Sequence, residues 1–318
     1  MKRVASAVMA GLLVATIGGT SALSAAARPR CFGKIATKVG GPGDNRMFGT
    51  PQQDVIVGLG GNDTIRGLGA GDRICGGRGA DVIMGMDGID RLNGGRGRDS
   101  LDGGLNHDVL IGGAKRDRMA GGEGSDTFRG KAGPDRILGG AGRGEDRGSG
   151  GFGNDLMRGG GGPDSFAGGA GNDRLIGGDT TDRDVLNGGP GDDHIRGGSG
   201  VDLLLGGAGA DDICGGLCRL DQGGGSADNL QGGPGNDLLH GDVGPDRVSG
   251  RAGADRVFGD GGDDTLWGGI GRDALEGDGG DDTLNAGDGV RGNDRSRGGS
   301  GTDVCNSDPE DTEAACEG

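Results

Sequence analysis

The stretch Gly150–Ala167 reads GGFGNDLMR followed by GGGGPDSFA. Each nonamer has the form Gly-Gly-x-Gly-x-Asp-x-U-x, where U is large and apolar. Working outward, the same frame runs from Gly40 to Asn306, about 28 units, with extra residues in only four of them. The repeat therefore accounts for most of the chain, and one elongated solenoid is expected where 318 residues would otherwise suggest two domains.

Composition agrees with that reading. Glycine supplies 85 residues, aromatics 2 %, and tyrosine is absent, so no ordinary globular core can be assembled. A collagen helix is excluded because glycine does not recur every third residue and proline numbers only 9. The formal charge is −16, and most of the acid is aspartate at the sixth position of the frame. A disordered acidic tail would scatter or cluster its charge; fixed spacing argues for ligation. The same net charge disfavours nucleic acid as a partner.

From Gly58 the frame holds without a slip through Asp135. Short insertions then enter the units of Asp146 and Asp184, a longer one lies between Gly215 and Gln231, and another precedes Asp294. All four fall on the glycine side of the aspartate, where a turn can bulge while the x-U-x segment, read as a three-residue strand, keeps its register. The ends are atypical. Residues 28–39 lie outside the frame and read as an N-terminal cap, with Ile35, Ala36 and Val39 expected to cover the open first rung. Residues 40–306 are the array, and 307–318 a short acidic C-terminal cap or tail.

Residues 1–27 are a separate piece. Lys2 and Arg3 precede an uncharged run with an apolar centre near Val8 to Ile17, then small residues Ser24 to Ala27, the layout of a secretory signal peptide. An uncleaved membrane anchor is the alternative, but the second half of the run is Gly, Ser, Thr and Ala. Export predicts a secreted protein with no stable membrane insertion after cleavage, and suits six cysteines, an even number. Local staples are expected at Cys31–Cys75, Cys214–Cys218 and Cys305–Cys316 among the fifteen possible pairings.

The nonamer has a physical logic. In an x-U-x strand one apolar side chain points inward and two outward. U is Ile, Leu, Val, Met or Phe nearly throughout, with Gly148, Ser296 and Cys305 as departures. Two strands and two turns close one rung of about 18 residues. Stacked rungs bury two facing ladders of U residues and little else. One aliphatic per unit supplies roughly 1.5–3 kcal/mol, whereas ordering nine backbone positions costs about 1 kcal/mol or more each. Aspartates of units two apart also approach to about 5 Å, repelling by roughly 1–3 kcal/mol per neighbour. The metal-free chain is expected to be largely disordered, and a divalent cation between turns converts binding free energy into folding free energy.

The candidate metal ligands are Asp63, Asp72, Asp81, Asp90, Asp99, Asp126, Asp155, Asp164, Asp173, Asp193, Asp202, Asp211, Asp237, Asp246, Asp255, Asp264, Asp273, Asp282 and Asp303. With glycine carbonyls they form an all-oxygen, adaptable set that suits calcium better than magnesium, which needs a near-ideal octahedron. Zinc or copper would want clustered histidine or thiolate, and His107, His194 and His240 occupy different repeat positions.

The frame resembles that of the repeats-in-toxin (RTX), or haemolysin-type, calcium-binding family; GGRGADVIM at Gly76, GGAGNDRLI at Gly168 and GGPGNDLLH at Gly232 match it residue for residue. The resemblance implies an all-β, right-handed parallel β-roll, a β-helix solenoid binding several Ca2+ ions. It implies joint ligation by neighbouring rungs, pairing Asp155 with Asp173, Asp193 with Asp211, and Asp255 with Asp273. Units at Gly103 and Gly112, which lack inner glycines, are expected to bind weakly or stay empty. Family members that leave by one-step export carry a C-terminal signal, whereas the signal here is N-terminal, so neither that route nor toxin activity is carried over.

No His-Glu-x-x-His, Gly-x-Ser-x-Gly or Walker-type motif is present, and the many Gly-x-Gly-x-x-Gly windows fall inside the repeat with no helix following. The reading is a non-enzymatic, secreted calcium-binding repeat protein. Alternatives are an adhesion module facing a cell surface or extracellular polymer, and an enzyme whose site lies in the 215–231 insertion.

Overall fold

The computed structural model describes residues 28–216, 226–290 and 293–316. The expected signal segment 1–27, Cys218 and the middle of the 215–231 insertion lie outside these residues. Apart from a short antiparallel hairpin, Arg30–Cys31 with Lys34–Ile35, the strands among the described residues form two parallel sheets of 15 strands each. Sheet 1 runs from Lys38–Val39 to Val304–Asn306, and sheet 2 from Arg46–Phe48 to Thr312–Ala314. Successive strands of the chain alternate between sheets, so each rung contributes one strand to each. The all-β parallel roll expected from the repeat is the fold observed.

Register is kept by the U residues, which form one continuous core from Ile56 to Ala286. Leu110 pairs with Phe128 and Met157 with Leu175 at the ordinary spacing. Leu204 pairs with Leu230 across the long insertion, and Phe128 with Gly148 across a short one. Register is thus kept across the insertions, and inside and outside stay unexchanged, as the sequence predicts.

Strand length differs from expectation. Many strands have six residues, such as Thr64–Gly69 and Ser100–Leu105, where x-U-x alone would give three. Pairing continues through the glycines, Gly104 opposite Gly122 for example, and the turn shrinks to the fourth, fifth and sixth positions. The second-position glycines allow this because they sit at positive φ, +110° at Gly104, where a side chain is disfavoured.

The N-terminal cap also departs from its reading. Ile35 and Val39 are 48 % and 44 % exposed, so they do not close the first rung. Instead Cys31 and Ala36 pack on Val55 and Val57, with Phe32 and Cys75 alongside, and Cys31 is bonded to Cys75. Val55 and Val57 flank the inward Ile56, so the hairpin lies against the outer face of sheet 1. Lys38–Val39, placed in the cap by sequence, is already the first strand of that sheet.

At the other end Thr312–Ala314 adds a strand beyond Asn306, paired with Arg295–Ser300. The Cys305–Cys316 bond ties this tail to the last rung as expected, and Cys214 is disulfide-bonded.

Candidate functional site

The turns line up the aspartates in two files, one beside each sheet. Beside sheet 2 stand Asp63, Asp81, Asp99, Asp155, Asp173, Asp193, Asp211, Asp237, Asp255 and Asp273; beside sheet 1 stand Asp72, Asp90, Asp126, Asp164, Asp202, Asp246, Asp264, Asp282 and Asp303. All of these carboxylates belong to residues no more than 3 % exposed. The pairs implied by the resemblance are neighbours in a file. From Asp63 to Asp282 each of these aspartates donates its main-chain N–H to Oδ1 of the aspartate one rung on: Asp155 to Asp173 at 2.7 Å, Asp193 to Asp211 at 2.9 Å, Asp255 to Asp273 at 2.9 Å. The main-chain carbonyl of Asp155 accepts from the Arg174 N–H at 2.8 Å, so the backbone here is satisfied.

The second carboxylate oxygen is not. From Asp63 to Asp282 every proposed ligand has an Oδ2 that is buried without a hydrogen-bond partner among the described residues. An unpaired buried charge is costly, and the carboxyls respond accordingly. Burial, followed by the charge of neighbouring aspartates, pushes Asp164, Asp202, Asp246 and Asp264 up to about 8 and Asp155, Asp193 and Asp255 up to about 7, although a donated N–H pulls each down.

The first-position glycine shapes the space beside Oδ2. A methyl group on Gly150 would overlap Asp155 Oδ2 and would lie 2.7 Å from the carbonyl oxygen of Gly168, one rung on. Gly58, Gly188 and Gly259 are crowded in the same way by their own aspartate and by the next rung's carbonyl. Carboxylate and carbonyl oxygens of adjacent rungs thus face one cleft that only glycine leaves open. No three His, Cys, Asp or Glu side chains among the described residues converge on one point. The donors are carboxylate and main-chain oxygens, a set that matches a hard cation with flexible coordination.

Several file members stand outside the candidate ligands named from sequence. Asp54, Asp108, Asp117, Asp135, Asp146, Asp184, Asp228, Asp294 and Asp311 occupy the same line. Asp108 and Asp117, in the units lacking an inner glycine, are held like the rest, with Asn106 and Lys115 taking the left-handed turn at φ 77° and 79°. A second ladder was missed. Fifth-position side chains accept the N–H one rung away: Asn62 from Ala80, Asn154 from Asn172, Asn172 from Asp192, Asn236 from Ala254. The recurrent Asn-Asp and Asp-Asp doublets were its signal in the sequence.

The RTX calcium-binding nonapeptide repeat family matches residues 39–143, 149–213 and 222–305 in overlapping blocks. This chain belongs to that family. The match spans most of both files of aspartates, and RTX repeats imply calcium binding. No curated protein matches the sequence. RTX rolls are typically structural and their proteins typically secreted, and no helix among the described residues is long and apolar enough to cross a membrane.

Proposed function

We propose that the protein is a secreted, non-enzymatic calcium-binding roll that folds when calcium enters the clefts between rungs after export. The observation carrying this reading is the row of buried Oδ2 atoms without partners. A roll closed without cations would hold more than a dozen unpaired carboxylate oxygens in a dry seam; a divalent ion beside each reverses the sign of that contribution. The ligands proposed are the file aspartates, each acting with the first-position glycine carbonyl of the adjoining rung. The ion supplies charge neutralisation and a bridge between rungs; no chemistry on a substrate is assigned.

The proposed layout is a signal segment over 1–27, a side-packed cap over 28–39, the array over 40–306 and a tail over 307–318. Millimolar extracellular calcium supports loading after export, because a site of about 0.1 mM affinity gains about 1.4 kcal/mol there. The test is direct titration with calcium while far-ultraviolet dichroism is followed. On the order of ten or more ions per chain are expected, taken up as the strand signal appears. Fewer than about three ions, or an unchanged strand signal in chelator, would sink the reading.

A further inference from the structure

The two ends of the roll are opposite in charge and alike in geometry. Residues 28–48 carry Arg28, Arg30, Lys34, Lys38 and Arg46 against the single acid Asp44. Residues 303–316 carry Asp303, Asp308, Glu310, Asp311 and Glu313 and no base. At the first end the outermost strands are Lys38–Val39 and Arg46–Phe48; at the second they are Val304–Asn306 and Thr312–Ala314. Among the described residues each pairs with one strand only, so its outer edge presents main-chain N–H and C=O groups, the template for adding another strand, with the Phe48 carbonyl already accepting from Lys38 Nζ at 2.6 Å. The N-terminal hairpin leaves these edges open because it packs on the outer face of sheet 1. Val39, Phe48 and Val304, between 44 % and 45 % exposed, add apolar surface to the ends.

The terminal rungs also differ from the body at the inward position. Lys38 stands in register with Ile56, and Glu313 with Ser296, so each end presents a charged residue where the body carries a core side chain. Lys38 Nζ is 3.8 Å from Asp54 Oδ2 and remains 33 % exposed; Glu313 is exposed.

We propose that the C-terminal end of one copy docks on the N-terminal end of a second copy, both sheets continuing in parallel across the junction. Order and direction permit it. The chain closes on a strand of sheet 1 and then one of sheet 2, and opens in the same order. Continuing the register sets Thr312–Ala314 beside Arg46–Phe48 and brings Glu313 to the rung that holds Lys38 and Arg46 of the second copy. The contact joins unlike surfaces, so it propagates into an unbranched filament and does not close as a two-fold dimer. It buries only the cross-section of the roll, which places it among weak associations steered by charge.

The proposal rests on the calcium-folded roll, and dichroism on the same samples keeps the two apart. The protein, expressed from its full coding sequence in a secreting host and held in millimolar calcium, is followed by sedimentation velocity and electron microscopy up to about 1 mM chain. Mass should rise with concentration, filaments one roll wide should appear, and added salt should weaken them. Lys38→Glu, or Glu313→Lys at its exposed site, should each lower the association constant about tenfold, and the double exchange should restore it to within about threefold. A folded monomer throughout, lateral sheets, or association indifferent to both single changes would overturn the proposal. Missing strand signal in calcium would overturn this proposal and the calcium reading together.

Discussion

The interior of the roll contains two kinds of seam, and they are finished to different degrees. The apolar seam is complete: Ile65, Ile83, Leu175, Ile195 and Leu204 are fully buried, each stacked on a like residue one rung away. The acidic files are as regular and largely as buried, yet most of their aspartates, Asp63, Asp155 and Asp282 among them, satisfy Oδ1 and hold a buried Oδ2 with no hydrogen-bond partner among the described residues. Packing alone therefore accounts for one seam and not the other. The difference teaches that packing closes only one of the two seams, so the stability of the roll should follow whatever neutralises the buried carboxylates.

Protons should do this as well as cations, and the effect sums over both files. Burial raises the folded carboxyls from an ordinary 3.8 to about 6 at Asp72, Asp81 and Asp90, and to about 8 at Asp108, Asp164 and Asp202. A group raised on folding stabilises the fold fully below its unfolded value and loses that contribution as pH climbs through the folded one. The metal-free chain should therefore gain strand dichroism on acidification from pH 8 towards 5, while the calcium-loaded chain gains none. Protons compete for the same oxygens, so the calcium midpoint should move to higher calcium as pH falls. A metal-free chain that unfolded further on acidification through this range would break the contrast between the seams.

Single substitutions separate the seams within one rung. Leu175 is fully buried between Met157 and Ile195, and Leu175→Ala should cost about 2–5 kcal/mol at saturating calcium with the number of bound ions unchanged. Asp173, two residues earlier, accepts from Asp155 at 2.7 Å and donates to Asp193 at 2.8 Å. Asp173→Asn keeps an acceptor for Asp155 but removes the charge. It should cost about 1–3 kcal/mol at millimolar calcium, vanish as a stability difference in chelator, and lower the ion count by one or two. Chemical denaturation at several calcium levels, with ion counting, checks both. Equal ion loss in the two variants would mean that the files and the core are not separable.

Period and fold class were legible because every unit repeats one message, from Asp63 to Asp303, and the registers obey it. What escaped was set by contacts between rungs that a nine-residue window does not contain. The outer ladder of Asn62, Asn154 and Asn172 is one such case, since the side chain and its N–H partner belong to different rungs. Asp311 is another: the tail lacks one residue of the frame, yet Asn293 still donates to it at 3.0 Å, because only the distance between rungs has to be met. Ile35 and Val39 misled for a related reason. Apolar residues before the first rung suggest an end cap, but Val55 and Val57 on the outer face gave the hairpin a different apolar surface to cover.

Gly148 sharpens the comparison from inside the apolar seam. It occupies an inward position where the repeat calls for a large side chain, between Phe128 and Phe166 on the adjoining rungs. The two rings take up the room it leaves. Their centroids are 6.3 Å apart and tilted by 52°, and a methyl on Gly148 would lie 2.8 Å from Phe128 Cβ and 3.2 Å from Phe166 Cε1. Restoring the consensus should therefore harm the roll: Gly148→Leu should cost about 1–3 kcal/mol through overpacking. Combined with Phe166→Ala it should cost less than the two changes added, because volume returns to the site while the pattern is kept. Both effects should be the same at moderate and saturating calcium, since no carboxylate is touched. A Gly148→Leu chain that melted higher than the parent would mean that the phenylalanines do not fill this gap, and that the apolar seam, like the acidic one, had been left unfinished.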